Sequence, residues 1–300
     1  MMKQLTTLAL MVCLVPDVGY AWGPEGHDVI AKVAYDRLSP DLQSRFDAIM
    51  EGGKGLQVNY VDSKGREHSC GARTIDQLAN WPDCVRYGGR YADTYHTHFN
   101  DIPFCPKPPA AKTPASACIG NACATRFLSL KVAEIKAPGT KPFDRAAALA
   151  FVVHIAGDMH QPLHMISNND NGGNAIRVTF DGDQTSLHKI WDGAIIDEAY
   201  DSTPAAIEGT KALIAHGGSD WSHPNAGQAD FDAWAAALHV IGVDAYNAVK
   251  PALACGAPGN ANHAIGRDYI NRFVPVVKEQ LAKAALRLSD VLKDALAAAP

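Results

Sequence analysis

No cluster of lysines or arginines occurs anywhere in the 300 residues, and acidic side chains outnumber basic ones by 32 to 27, for a formal charge of −5. A protein that grips duplex nucleic acid through its phosphates alone carries a basic stripe that releases counterions, so that class is disfavoured. Positive charge concentrated at one point would have to come from bound cations. No stretch approaches the roughly 18 uninterrupted apolar residues of a transmembrane helix, and no membrane anchor is expected. Low-complexity linkers and internal repeats are absent too, which argues for one domain. None of the seven cysteines forms a Cys-x-x-Cys pair, so disulfides are favoured over a cysteine zinc site. There is no Asn-x-Ser/Thr sequon, which in an exported protein favours a bacterial source.

The first residues form a separate unit. Lys3 lies in a short polar start, Leu5 to Val15 is apolar, and Gly19-Tyr20-Ala21 is a small-x-Ala ending. Residues 1–21 therefore read as a secretory signal peptide. The mature domain is expected at 22–300, beginning with Trp22, in the periplasm or secreted. Cys13 leaves with the signal, and Cys70, Cys84, Cys105, Cys118, Cys123 and Cys255 remain as an even set that suits an oxidising compartment. Cys118 and Cys123 are close enough to close a small loop; the pairing of the other four is open.

The pattern is helical nearly throughout. Val29, Ile30, Val33, Ala34 and Leu38 repeat at helical spacing, and Ser39-Pro40-Asp41 starts a second helix to about Met50. Glu51 to Gly71 is a glycine-rich excursion that suits a small hairpin. Thr74 to Trp81 is a short helix stopped by Pro82, and Pro103 to Gly120 is a proline-rich loop. Helices are expected over Cys123 to Ala137, Phe143 to Gln161, Thr185 to Tyr200, Ala205 to Ala215, Phe231 to Val249 and Asp268 to Ala298, with a short strand at Ala175 to Phe180. The fold class is one all-α domain with irregular connections.

The chemistry is concentrated at His154-Ile-Ala-Gly-Asp158-Met-His160-Gln-Pro-Leu-His164. His154 and Asp158 are four apart, so they project from one helix face a single turn apart and can reach one cation. Pro162 ends that helix and pushes Gln161 away from α geometry, so His164 swings toward a neighbouring site. His188 and Asp192 repeat the first spacing. Any one histidine is more simply a hydrogen-bonded core or surface imidazole. Burying Asp158 among Phe151, Val152, Val153, Ile155 and Leu163 without a cation, however, would cost several kcal/mol. Imidazole and carboxylate without thiolate favour zinc, with manganese or iron behind it.

Three further places join these: Trp22-Gly-Pro-Glu-Gly-His27, Ala79-Asn-Trp-Pro-Asp83 and His98-Phe99-Asn100-Asp101. In that order along nearly the whole mature chain, the five motifs resemble the secreted trinuclear-zinc nucleases of the mung bean nuclease type, which include the fungal single-strand-specific nucleases and bacterial relatives. The resemblance implies a helical fold of the zinc phospholipase C and zinc-dependent nuclease type. It implies three zinc ions: one on Asp83, His98, His154 and Asp158, one on His164, His188 and Asp192, and one on His27, the amino nitrogen and carbonyl oxygen of Trp22, and Asp158 as a bridge. It further implies that Phe99 stacks on a nucleobase, that Asp101 hydrogen-bonds to it, and that Asn174 lies near the scissile phosphate. After Asp101 the chain runs Ile102-Pro103-Phe104-Cys105, without the acidic and basic pair some fungal members place there. His68, His96, His160, His216, His223, His239 and His263 are left over, with His96 and His160 the best candidates to orient a ligand.

The activity that the resemblance implies is that of a phosphodiesterase acting on single-stranded RNA and DNA, leaving 5′-phosphate ends, with 3′-nucleotidase activity and no obligate protein partner. Two metals roughly 3.5 to 4 Å apart would lower the pKa of an attacking water to about 7. A base must leave its stack to reach Phe99, which a duplex resists. Two alternatives stand beside this reading. Zinc phospholipases C close the similar motif with His-x3-Glu, whereas this chain has Asp192, and a Phe99/Asp101 base site would serve no purpose there. A non-catalytic zinc-binding protein would need closed coordination, whereas the implied Trp22/His27/Asp158 and His164/His188/Asp192 sites have room for water.

Overall fold

Pro142, its φ already suited to a first helical turn, opens helix α5 (Pro142–Asp158). Between Ala146 and Ala156 the only polar side chain is His154, and every residue from Ala146 to Asp158 is buried. A helix apolar on all sides is stable only when surrounded. Helices α1 (Pro24–Asp36), α2 (Pro40–Gly52), α3 (Ile75–Val85), α4 (Ala124–Lys136) and α10 (Arg267–Ala298) pack around it. The computed structural model describes residues 22–105, 117–118, 122–256 and 261–300; the expected signal peptide lies outside them.

The chain is a single, mostly α-helical domain. Helices α8 (Thr203–Gly217) and α9 (Gln228–Asn247) lie where apolar spacing places them. On α10 the stripe Ile270, Phe273, Val277, Leu281, Leu288, Val291 and Leu292 is buried. The hairpin in the glycine-rich excursion forms from β1 (Val58–Val61) and β2 (Glu67–Cys70), antiparallel with Val58 opposite Cys70. Three disulfides close the structure: Cys70–Cys84, Cys105–Cys255 and Cys118–Cys123. Among the described residues no helix is long and apolar enough to cross a membrane.

Three local expectations need correction. Pro82 does not stop α3, which runs on to Val85; the Ala79 carbonyl, in the turn that Pro82 interrupts, instead accepts His154 Nδ1–H at 2.7 Å. Helix α5 ends at Asp158 rather than Gln161, because Gln161 takes an extended conformation ahead of Pro162 and a 3₁₀ turn, Pro162–Met165, comes next. The helix placed at Thr185 begins at Leu187, since Asp183–Ser186 forms strand β4 against β3 (Arg177–Phe180) across Asp181 and Gly182, both with positive φ. A second sheet therefore exists, ordered β4-β3-β5, with β5 (Asn262–Ala264) parallel to β3. Residues Gly89–Thr97, ahead of His98, form a 3₁₀ segment.

Candidate metal centre and substrate pocket

Helix α5 brings His154 and Asp158 to one face, α1 supplies His27, α3 supplies Asp83, and His98 comes directly after the 3₁₀ segment. All five side chains are at most 3% exposed. The two oxygens of Asp158 look different ways. Oδ1 lies 3.2 Å from His27 Nε2, whereas Oδ2 lies 2.9 Å from His98 Nδ1 and 3.2 Å from His154 Nε2. Asp83 Oδ1 completes the group, 3.6 Å from His154 Nε2 and 3.8 Å from His98 Nδ1. Gly157 makes room for His27, because a Cβ there would sit 3.1 Å from its Nδ1. Burial alone would discharge His154, but the carboxylates of Asp158 and Asp83 outweigh it and push its pKa up to about 10. A field that holds a proton so firmly also attracts a divalent cation.

The second group stands on less regular backbone. His164 comes from the 3₁₀ turn and His188 from the single turn α6 (Leu187–Lys189). Asp192 sits in a π-helical stretch, Ile190–Ala194, that leads into α7 (Ile195–Ala199). His188 Nε2 and Asp192 Oδ2 are 3.5 Å apart. The His-x3-Asp spacing thus recurs, but not on a repeat of the first helix geometry. The Asp192 carbonyl accepts Gly23 N–H at 2.7 Å, and Gln161 Nε2 donates to Asp192 Oδ1 at 2.8 Å. Burial raises the Asp192 pKa well above the usual carboxylate range; Asp83 and Asp158 add to this, and the Gln161 bond opposes it.

Backbone carbonyls orient three of the imidazoles. His154, His164 and His188 donate Nδ1–H to the carbonyls of Ala79, His98 and Gly172 at 2.7, 2.8 and 2.7 Å, so Nε2 faces each group and is the nitrogen whose lone pair a cation would take. Three sets of potential ligands result: His27, His154 and Asp158; Asp83, His98 and His154; His164, His188 and Asp192. Trp22 is fully buried and donates Nε1–H to the Gly157 carbonyl at 3.0 Å. The indole thus ties Trp22 to the end of α5, and the next residue, Gly23, ties the chain to the π turn.

Beside the second group opens a cavity of about 90 Å³, with His164 and His188 in its lining. Phe99 and Asp101 form one wall and Asn171, Gly172 and Asn174 another, while Arg86, Tyr95 and His96 complete it. The walls are strapped together: Phe104 N–H donates to the Ser167 carbonyl at 2.9 Å, Gly256 N–H donates to Asn168 Oδ1 at 2.7 Å, and Cys105 is joined to Cys255.

The sequence profile of the family described as S1/P1 Nuclease matches residues 22–297. The chain belongs to the S1/P1 nuclease family. It is similar to Endonuclease 4 of Arabidopsis thaliana, 25% identical over 100% of this chain and 97% of that protein. Nuclease S1 of Aspergillus oryzae is 25% identical over 100% of both. Nuclease P1 of Penicillium citrinum is 29% identical over 57% of both. Membership in the S1/P1 nuclease family makes the protein a zinc-dependent, single-strand-specific endonuclease, a hydrolase of phosphodiester bonds. The phospholipase and non-catalytic alternatives fall with that assignment.

Within this S1/P1 nuclease the leftover histidines do not orient the ligands. His160 donates to the Ala156 carbonyl at 2.7 Å and meets Arg287 Nη1 at 3.0 Å, while His96 is exposed on the pocket rim. That work falls to carbonyls and to Gln161. Arg86 is a pocket residue that the motifs do not single out. It is 4% exposed and its Nη1 lies 2.6 Å from Asp83 Oδ1; the acid-x-x-base spacing on α3 is the one signal of it in the sequence.

Proposed function

We propose that this nuclease binds three zinc ions: one held by Asp83, His98, His154 and Asp158, one by His164, His188 and Asp192, and one by His27, Asp158 and the amino nitrogen and carbonyl oxygen of Trp22. The observation that carries the reading is Asp158, whose oxygens face His27 on one side and His98 with His154 on the other, as a carboxylate shared by two cations must. The donor set fits the metal. His27 Nε2 and Asp158 Oδ1, which face each other at 3.2 Å, and Asp192 Oδ2 are buried without a well-directed hydrogen bond, and imidazole with carboxylate suits zinc.

When bound, zinc supplies Lewis-acid charge to the phosphate and lowers the pKa of an attacking water. The side chains position the substrate. Phe99 offers a stacking face to one nucleobase, Asp101 accepts its hydrogen bonds, and Asn174, held by its Nδ2 on the Asn171 carbonyl, lies near the scissile phosphate. Arg86, fixed on Asp83, lends positive charge to the same wall. The bond broken is to the 3′ oxygen, so RNA and DNA strands yield 5′-phosphate ends and 3′-nucleotides lose their phosphate. Export to the periplasm or medium removes residues 1–21 and frees the Trp22 amine, whose pKa of about 8 lets a metal displace its proton; a family match that begins at Trp22 supports this boundary.

The test uses purified protein starting at Trp22, assayed on single-stranded DNA, RNA, 3′-AMP and phosphatidylcholine, with zinc counted by elemental analysis. Three zinc ions per chain and hydrolysis of the first three substrates are expected. A lower zinc count, or inertness toward 3′-AMP, would refute the corresponding part.

A further inference from the structure

Of the four large hydrophobic side chains that are well exposed among the described residues, Val61, Tyr95, Leu130 and Val240, only Tyr95 lines the substrate cavity. Exposed apolar residues scattered over a surface need no explanation, but an aromatic ring at the mouth of a binding cavity presents a surface to whatever enters. The 3₁₀ segment Gly89–Thr97 delivers it there, together with His96, immediately ahead of His98 and Phe99.

Tyr95 is also braced. The Arg86 guanidinium lies 5.6 Å from the centre of its ring and 5.0 Å from that of Tyr87, and Arg86 is itself anchored by Asp83 and, through Nε, by the Tyr87 hydroxyl at 2.9 Å. A buried, doubly held cation against an aromatic ring restrains the ring while leaving other parts of it open to solvent. The ring of Phe99 stands 5.9 Å from that of Tyr95 at an interplanar angle of 81°, and 5.9 Å from that of His96 at 79°. Tyr95 and His96 are themselves perpendicular, 5.2 Å apart. A base lying flat on Phe99 therefore does not lie flat on Tyr95. The rim offers a second aromatic plane, turned through nearly a right angle from the first.

We propose that Tyr95, flanked by His96, is a second base-stacking position, which takes the nucleobase adjacent to the one on Phe99. This rests on the assignment of Phe99 as a base-stacking residue. Two neighbouring bases can occupy perpendicular planes only if they are unstacked from each other, so the pair of platforms admits a flexible single strand and penalises a stacked duplex at two successive positions. Because every base has a π-face, the second position adds affinity for chain length with little sequence preference. A mononucleotide fills the Phe99 plane alone.

The experiment compares kcat/KM for a single-stranded decanucleotide with kcat/KM for 3′-AMP in the zinc-replete wild type, Tyr95→Ala, Tyr95→Phe and Phe99→Ala. In Tyr95→Ala the ratio of oligonucleotide to mononucleotide efficiency should fall about tenfold, the usual worth of one stacked base. Tyr95→Phe, which keeps the ring, should hold the wild-type ratio. Phe99→Ala should lower both efficiencies. An unchanged ratio in Tyr95→Ala would make Tyr95 rim packing and overturn the proposal, and so would a Tyr95→Phe ratio that falls with it. A Phe99→Ala protein that keeps full efficiency on both substrates would fail the Phe99 assignment itself, an outcome distinct from failure at Tyr95.

Discussion

His154 and Asp158 meet 3.2 Å apart across one regular turn of α5, whereas His188 and Asp192 meet 3.5 Å apart on a backbone that passes from an α turn into a π stretch. Both pairs have the same sequence spacing. The first group is held by helices whose apolar faces pack around α5, so its positions are set by core burial. The second is held by individual hydrogen bonds: Gly23 N–H to the Asp192 carbonyl, Gln161 to the Asp192 carboxylate, and His188 to the Gly172 carbonyl. A ligand group resting on packed helices should withstand local backbone changes better than one resting on carbonyls in loops.

The largest effect should come from the residue that would join the two proposed ion sites of the first region. Asp158→Asn removes a charge shared by two proposed cations, so activity should drop by several kcal/mol of transition-state stabilisation, on the order of a thousandfold or more. Zinc content measured beside the rate decides it, and near wild-type turnover would end the bridging assignment.

Next is the boundary between the regions, where the Trp22 indole bonds to the Gly157 carbonyl and the following Gly23 N–H to the Asp192 carbonyl. Retaining Ala21 turns the proposed amine ligand into a planar, neutral amide. Such a chain should fold, carry less zinc and hydrolyse little. Two chains verified by intact mass, starting at Trp22 and at Ala21, would carry the comparison; equal stoichiometry and rate would remove the terminal amine from the ligand set.

A smaller and more local effect is expected of Gly172→Ala. Gly172 has φ +61°, and a Cβ there would meet the Leu163 carbonyl oxygen at 2.4 Å, so the turn should be strained by about 1 to 3 kcal/mol. The carbonyl that orients His188 would move with it. Thermal unfolding and elemental analysis should register a modest loss of stability and loss of metal from the second group alone. Metal lost equally from both groups would mean that the two regions are not independent.

Much of this architecture is legible in the residues. The apolar run of α5 announces a buried helix, and the stripe on α10 announces a packed one, because burial imposes periodicity. Other features are not. A proline after Trp81 reads as a stop, yet α3 continues through it. Cys105 meets Cys255 across 150 residues, a pairing that no local spacing reveals. Tyr95 reaches the cavity because a 3₁₀ segment, unmarked by any apolar period, carries it there, and Arg86 because it caps the end of α3 and pairs with Asp83.

The sequence by itself determined the ligand residue types and the one distance that matters most in the first group, because an α-helix converts a separation of four residues into a fixed reach between side chains. Only the tertiary structure decided which way each imidazole faces. The carbonyls of Ala79, His98 and Gly172 set that, and a backbone carbonyl is the same atom whatever residue carries it, so no sequence pattern reports where it points.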